Sequence, residues 1–324
     1  MNNQKLLEVQ DLVIEFTTDK GKVRAVDGIS FSLNNSETLG IVGESGCGKT
    51  VTALSLLKLI PSPPGKIIQG HILYQGKDIV SKSESAMRHF RGKEIAMIFQ
   101  EPMTSLNPVF TIGNQMIDVI RQHTHASKKE AKERAIKMLE RIRIPNPERR
   151  IDEYPHQMSG GMRQRIMIAM ALSCNPKILV ADEPTTALDV TVQAQVMAQI
   201  SELQKKFNTA VILVTHDLGV IAETCTNVLV MYCGKIVERA DVSTLFESPR
   251  HPYTRGLLTS IPRIREKKLE KLPTIEGTVP DLLHLPVGCR YADRCERVRD
   301  HCRLEEPPLE KKDDKTEVAC FYPY

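Results

Sequence analysis

The sequence has no long apolar run. Nowhere in its 324 residues does a stretch approach the roughly 20 apolar residues that span a bilayer. The opening MNNQKLLEVQ also lacks the apolar core of a secretory signal. If this protein moves something across a membrane, another chain must supply the channel. A strong charge imbalance is missing too. The formal net charge is only +4, with basic residues scattered among acidic ones, which argues against a dedicated nucleic-acid binder. There is no internal repeat and no low-complexity segment. Tight C-x2-C pairs are absent although the chain has eight cysteines, which speaks against the commonest zinc modules. With nothing indicating secretion, the thiols are read as reduced.

What is present is alternation. Over the first 245 or so residues, strand-like and helix-like segments take turns. The strand candidates TLGIVG, AMIFQ, KILVAD and AVILVTHD are short and almost wholly apolar, as expected of strands covered on both faces. VLVMY and KIVERA flank Cys233-Gly234, a hairpin signal. Between AMIFQ and KILVAD lies a helical insert, in which ASKKEAKERAIKMLERI has Ser127 as its N-cap and Pro145 and Pro147 as stops. The fold class is α/β, with a helical subdomain at about 101–165 inserted into a domain of residues 1–245. Residues 246–324 differ: they are Pro-punctuated, carry the charge run REKKLEK, and read as an irregular extension with little core.

GESGCGKT, residues 43–50, fits the phosphate-loop pattern G-x-x-x-x-G-K-[ST]. A strand candidate precedes it and the helical run TVTALSLLKLI follows, the context this chemistry needs. Gly43, Gly46 and Gly48 let the backbone curl so that N–H groups of Glu44, Ser45, Gly46, Cys47, Gly48, Lys49 and Thr50 converge on phosphate oxygens. Lys49 adds a point charge between the β- and γ-phosphates, and Thr50 offers a hydroxyl to Mg²⁺. The ATP-binding set extends to Val51.

KILVADEP puts Asp182 and Glu183 at a strand end, the edge that borders the ligand crevice of α/β sheets. Asp182 is assigned to Mg²⁺, and Glu183 is the candidate to polarise the attacking water. Gln100 closes AMIFQ, where it can serve both metal and water. His216 ends VILVTH, where it can donate to the γ-phosphate.

A second polar loop, QMSGGMRQR, also leads into a helix. Its Ser159, Gly160 and Gly161 present free N–H groups to an anion, but no Lys-Ser/Thr pair follows.

The order GESGCGKT, Gln100, SGGMRQR, ILVADE, TALD and His216 resembles the nucleotide-binding subunit of an ABC transporter. The resemblance implies a phosphate-loop ABC ATPase core that hydrolyses ATP with Mg²⁺. It also implies that two such subunits meet head-to-tail, with Ser159, Gly160, Gly161 and Met162 closing over the partner's ATP. EPMTSLNPVF, after Gln100, is the candidate contact with membrane partners. Two features depart from the family pattern. Met162 stands where the family usually has Gln, and Lys20 precedes Gly21 where the family usually stacks an aromatic on adenine. Phe16 is the nearest aromatic, and either it contacts the base or it packs in the core while Val23 lies against the base.

SGGMRQR, FQEPMTSLNP, HPYTRGLL and a cysteine-bearing end together are similar to the ATP-binding subunits of bacterial oligopeptide/dipeptide importers. That resemblance implies import of di- or oligopeptides and a peripheral place on the cytoplasmic face of the membrane. The implied partners are two transmembrane permease subunits, an extracytoplasmic peptide-binding protein, and a second nucleotide-binding subunit that is a paralogue or a second copy. Nickel or another peptide-like cargo stays open, as does, at a distance, a soluble ABC-type ATPase.

Cys47, Cys174, Cys225 and Cys233 read as small hydrophobes. Cys289, Cys295, Cys302 and Cys320 form C-x5-C-x6-C-x17-C. The resemblance implies a [4Fe–4S] cluster on these four, with zinc and free structural thiols as the alternatives. Arg290, Arg294, Arg297, Arg299 and Arg303 lie nearby, either to offset an anionic cluster or to keep the surface soluble.

Overall fold

The computed structural model describes residues 5–100, 105–186, 189–261 and 274–324. In chain order, strands β1 (Leu7–Thr18), β2 (Gly21–Leu33) and β3 (Thr38–Val42) lead to helix α1 (Lys49–Ser55). Then come β4 (Gly65–Tyr74), β5 (Lys77–Asp78), α2 (Glu84–Phe90) and β6 (Ile95–Ile98). A helical stretch follows, with α3 (Ile112–His123), α4 (Lys128–Arg141), α5 (Pro147–Arg150) and α6 (Gly160–Leu172). Next are β7 (Ile178–Asp182), α7 (Val190–Phe207), β8 (Ala210–Val214), α8 (Leu218–Thr224), β9 (Asn227–Tyr232) and β10 (Lys235–Asp241). The chain closes with α9 (Val242–Glu247), α10 (Pro252–Thr259), α11 (Asp300–Leu304), β11 (Glu310–Lys311) and β12 (Thr316–Val318). Among the described residues, no helix is long and apolar enough to cross a membrane.

The described chain forms two compact units. The first consists mainly of residues 81–213. In it β7 lies between β8 and β6, and β6 and β7 run parallel. All five residues of β7 and all five of β8 are buried, so apolar runs without alternation become strands covered on both faces. Helix α4 starts where Ser127 predicts. The Ser127 hydroxyl accepts the Glu130 N–H at 3.3 Å, while the Glu130 carboxylate accepts the Ser127 N–H at 2.8 Å. Ala131, Ala135, Met138 and Leu139 make the buried stripe of that helix.

The second unit holds, among the described residues, 5–33, 38–80, 214–261 and 274–324. One sheet has the antiparallel order β2-β1-β4-β5. Gly70 belongs to a register shift between β1 and β4: its φ is +93°, and a Cβ there would sit 2.5 Å from the Asp11 and Gln10 carbonyl oxygens. This bulge breaks the alternation of IIQGHILY and hides the strand from pattern reading. A second set of strands runs β11-β12-β10-β9-β3, with β3 and β9 parallel and the rest antiparallel. The expected hairpin joins β9 to β10, and both turn residues have positive φ, 43° at Cys233 and 83° at Gly234. Those signs fit the primed turn that matches strand twist.

The C-terminal tail differs from expectation. It pairs β12 with β10 and buries Tyr253, Tyr291, Cys302 and Val318, with Tyr253 and Tyr291 packed on Tyr232 of β9. Widely spaced apolar residues among prolines gave no periodicity to read, although the pairing needs only three residues of strand. The charge run REKKLEK lies outside the described residues.

Candidate functional site

The phosphate loop stands between β3 and α1 in the second unit. Gly43, Gly46 and Gly48 have φ of +153°, +78° and +103°, the left-handed region that glycine adopts without strain. Space is also short: a Cβ on Gly43 would lie 2.2 Å from the Met231 carbonyl oxygen, and one on Gly48 2.4 Å from that of Ala25. The loop is thus wedged against β9 and β2. Lys49 is buried and lies across the loop, its ammonium donating to the Gly43 carbonyl at 2.7 Å and the Glu44 carbonyl at 3.0 Å. Ser45, Gly46 and Thr50 face outward, while Val51 is half-buried in the first turn of α1.

Glu44, the second residue of the loop, has partners that the motif does not announce. Its N–H donates to the Tyr253 hydroxyl at 2.8 Å. Its carboxylate receives both guanidinium nitrogens of Arg294, at 2.6 and 2.9 Å. This bidentate pair holds the Arg294 guanidinium firmly protonated.

In the first unit, Asp182 ends β7 with only 1% of its surface exposed. Glu183 follows with φ of 47°, unusual for a non-glycine residue and the kind of conformation found at reactive sites. Its carboxylate oxygen Oε2 accepts from Gln100 Nε2 at 3.0 Å and from Thr186 Oγ1 at 2.9 Å. The structure therefore joins Gln100 to Glu183, two residues far apart in sequence. Gln100 lies two residues beyond the end of β6 rather than on it, and is exposed. Thr186 escaped sequence reading, and the TT of DEPTT is the signal that marks it. Ala187 and Leu188 of TALD lie outside the described residues.

The SGG loop is also in the first unit. Ser159 caps α6, its hydroxyl accepting the Met162 N–H at 3.3 Å. Gly160 is exposed, has no positive φ, and would meet nothing within 4 Å among the described residues if given a Cβ. Neither its conformation nor its packing among the described residues asks for glycine there. Gly161 is half-buried, with Val192 3.1 Å from an added Cβ. Met162 is half-buried, and Gln164 behind it donates to the Pro184 carbonyl in the turn after Glu183.

His216 is exposed, two residues beyond β8. Phe16 is half-buried on β1, paired with Val23 of β2 and Gly65 of β4, its ring 2.7 Å from a Cβ added at Gly65. Of EPMTSLNPVF, residues 101–104 lie outside the described residues, and Val109 and Phe110 are 70% and 50% exposed.

Cys47 and Cys233 are fully buried, as expected of small hydrophobes. Burial pushes the Cys233 thiol up to about 11 and the Cys225 thiol up to about 12. Cys289, Cys295, Cys302 and Cys320 do line one cavity, of about 10 Å³, room for roughly one water. Yet among the described residues no group of three or more His, Cys, Asp or Glu is set to hold a metal ion. Among the described residues, then, the four thiols share a cavity without a metal-holding arrangement. Burial, with the other three cysteines adding to it, pushes the Cys289 thiol up to about 12. Of the arginines, Arg297 lines the cavity of the thiols. Arg290 pairs with Asp27, Arg294 with Glu44 and Arg303 with Asp293, while Arg297 and Arg299 stand 4.3 and 4.0 Å over the rings of Tyr324 and Tyr322.

Comparison with known proteins agrees with this arrangement. The family described as ABC transporter matches residues 26–186, and that described as oligopeptide/dipeptide transporter, C-terminal region, matches residues 237–302. The chain is 51% identical to the oligopeptide transport ATP-binding protein AppD of Bacillus subtilis, covering 98% of this chain and 96% of that one. It is 52% identical to OppD of the same organism (96% and 87% covered) and 46% identical to the dipeptide transport ATP-binding protein DppD of Escherichia coli (98% and 97%). Among solved structures, the dimeric ATP-binding cassette MJ0796 bound to ADP and Pi superposes with a TM-score of 0.66 at 23% identity, covering 73% of this chain and 98% of that one. At that identity the likeness speaks to fold alone. Clostridium perfringens cbiO1 gives a TM-score of 0.64 at 26% identity, with 76% and 92% covered. The chain belongs to the ABC transporter family, among the ATP-binding proteins of its oligopeptide/dipeptide branch.

Proposed function

We propose that this chain is the ATPase that energises import of di- or oligopeptides through two membrane permease subunits, from the cytoplasmic face of the membrane. The observation that carries the reading is near-full-length identity of about half to ATP-binding proteins named for oligopeptide and dipeptide transport, on a chain whose phosphate loop has the three left-handed glycines the chemistry needs. Residues 1–245 act as the nucleotide-binding domain and residues 246–324 as the extension of this branch.

The loop from Gly43 to Val51 binds the phosphates, with Lys49 turning from its own loop carbonyls to the β- and γ-phosphates. Thr50, Asp182 and Gln100 are the residues that would hold Mg²⁺, which supplies charge neutralisation between phosphate oxygens. Glu183 takes the proton of the attacking water. What supports this is its left-handed backbone and the two donors that orient its carboxylate. His216 donates to the γ-phosphate, and Phe16 lies against adenine.

Two such subunits close head-to-tail, and Ser159, Gly160, Gly161 and Met162 of each reach the ATP of the other. Gly160 supports this, since nothing among the described residues explains why it is glycine. Binding of ATP closes the pair and hydrolysis releases it, a stroke driven by differential affinity for the two nucleotides. An extracytoplasmic peptide-binding protein delivers the cargo. The test is reconstitution in vesicles with the permease subunits: ATP-dependent uptake of a labelled peptide is expected. Uptake of nickel but no peptide would overturn the cargo, and ATPase activity indifferent to the permeases would overturn coupling.

For Cys289, Cys295, Cys302 and Cys320, a [4Fe–4S] cluster is the finer reading. It rests on four thiol donors that share one cavity and on no metal-binding geometry. Anaerobic purification with iron and sulfide analysis tests it. Stoichiometric zinc without iron would assign the thiols to zinc instead, and metal-free protein would end both readings.

A further inference from the structure

Two side chains from the C-terminal part of the second unit end on a single residue of the phosphate loop. Tyr253 Oη accepts the Glu44 N–H at 2.8 Å, and Arg294 grips the Glu44 carboxylate through both terminal nitrogens at 2.6 and 2.9 Å. Neither belongs to the segments assigned to nucleotide chemistry.

Each is itself held in place. Glu238 of β10 is fully buried, and its carboxylate accepts the N–H groups of Arg250 at 2.7 Å and His251 at 2.9 Å. That fixes the turn entering α10. His251 Nδ1 then accepts the Tyr253 N–H at 3.0 Å, which aims the tyrosine. The Tyr253 ring is fully buried, 4.7 Å from the Tyr232 ring and 5.4 Å from that of Tyr291. The Arg294 side chain is only 4% exposed, and its guanidinium lies 5.8 and 5.9 Å from the Tyr232 and Tyr291 ring centres. A buried guanidinium stripped of its carboxylate is costly, so the Arg294–Glu44 pair resists opening.

The position gripped is a sensitive one. Glu44 begins the curl of the loop, and its carbonyl is one of the two that hold Lys49. A displacement at Glu44 shifts both the row of N–H groups and the resting place of the lysine.

We infer that Tyr253 and Arg294 are positioning residues for ATP binding, acting through Glu44, so that the C-terminal region sets the affinity of the phosphate loop for nucleotide. The inference rests on the ATPase reading above.

The test uses the intact transporter carrying Arg294→Gln, Arg294→Lys, Tyr253→Phe, Glu44→Gln or the double change Glu44→Gln/Arg294→Gln. KM and kcat for ATP are measured beside the thermal midpoint with and without Mg·ATP. Arg294→Gln and Tyr253→Phe are expected to raise KM about five- to twenty-fold with kcat within about two-fold of wild type. They should also shrink the ATP-induced rise in midpoint. Arg294→Lys recovers part of the loss, and the double variant is no worse than Glu44→Gln alone. Variants that melt earlier but keep the wild-type KM would overturn the inference, as would a double variant whose KM is the product of both single effects. Should Arg294→Gln not fold, Tyr253→Phe, which removes one oxygen, carries the same KM comparison. A wild-type transporter that binds ATP without hydrolysing it fails the ATPase reading instead, and calorimetric Kd values then replace KM.

Discussion

Gln100 and Glu183 are joined by a hydrogen bond of 3.0 Å from the Gln100 side-chain amide to the Glu183 carboxylate, and Thr186 donates to the same oxygen at 2.9 Å. Two donors on one oxygen fix the orientation of the carboxylate. Glu183→Gln keeps the size and loses the base. Phosphate release should fall about 10²- to 10⁴-fold while ATP binding by calorimetry stays near wild type. Turnover within a few-fold of wild type would remove Glu183 from the role of base.

Gly160 separates the needs of the single chain from those of its assembly. A Cβ there meets nothing among the described residues, and alanine suits the first turn of α6 better than glycine. Gly160→Ala should hold or raise the thermal midpoint of the isolated chain yet lower ATPase activity at least about tenfold, about 1.4 kcal/mol in the barrier. Activity and midpoint measured on one preparation decide this. Full activity would mean that no partner's nucleotide comes near Gly160.

Gly46 and Gly48 both have positive φ, but only Gly48 is also crowded, with the Ala25 carbonyl oxygen 2.4 Å from an added Cβ. Gly46→Ala should cost about 1–2 kcal/mol of backbone strain. Gly48→Ala carries that strain and a clash with fixed backbone, so its loss should exceed that of Gly46→Ala. Urea unfolding of the two variants gives the ranking, and equal losses would show that the loop moves away from β2 freely.

His251 is buried and caps α10, and burial pushes its imidazole down to about 3, from an ordinary 6.5. The unfolded chain therefore takes up a proton below pH 6.5 that the folded chain refuses until about pH 3. Stability from this group is complete above the unfolded value and falls by about 1.4 kcal/mol per pH unit below it. Burial raises the Glu238 carboxyl instead, so its contribution runs the opposite way, lost as pH rises through the raised value. His251→Asn keeps a capping acceptor and removes the titration. The stability advantage of wild type over the variant should shrink by roughly 2 kcal/mol between pH 7 and pH 5 in urea unfolding. A gap that stays constant would mean that the folded imidazole takes up its proton as readily as the unfolded chain does.

Legibility in the sequence followed how local each feature is. GESGCGKT with its flanking strand and helix was readable because loop curvature and charge are set by neighbouring residues. Ser127 announced α4 for the same reason, since an N-cap acts within one turn. The strand β4 was hidden by a bulge whose cause, the Asp11 and Gln10 carbonyls opposite Gly70, lies on another strand. The grip of Tyr253 and Arg294 on Glu44 joins positions 209 and 250 residues apart, and HPY marks one of them without saying what it touches. The terminal cysteines show the converse. The resemblance, not their spacing, implied a ligand set, and they do share a cavity, but no metal-holding group is found among the described residues.

The edge strand β11 is only two residues long, and both Glu310 and Lys311 are exposed. A sheet margin of that kind offers hardly any free amide or carbonyl row to a stray chain, and its charges discourage stacking. The sheet thus ends on this side in a stub that resists propagation into fibres.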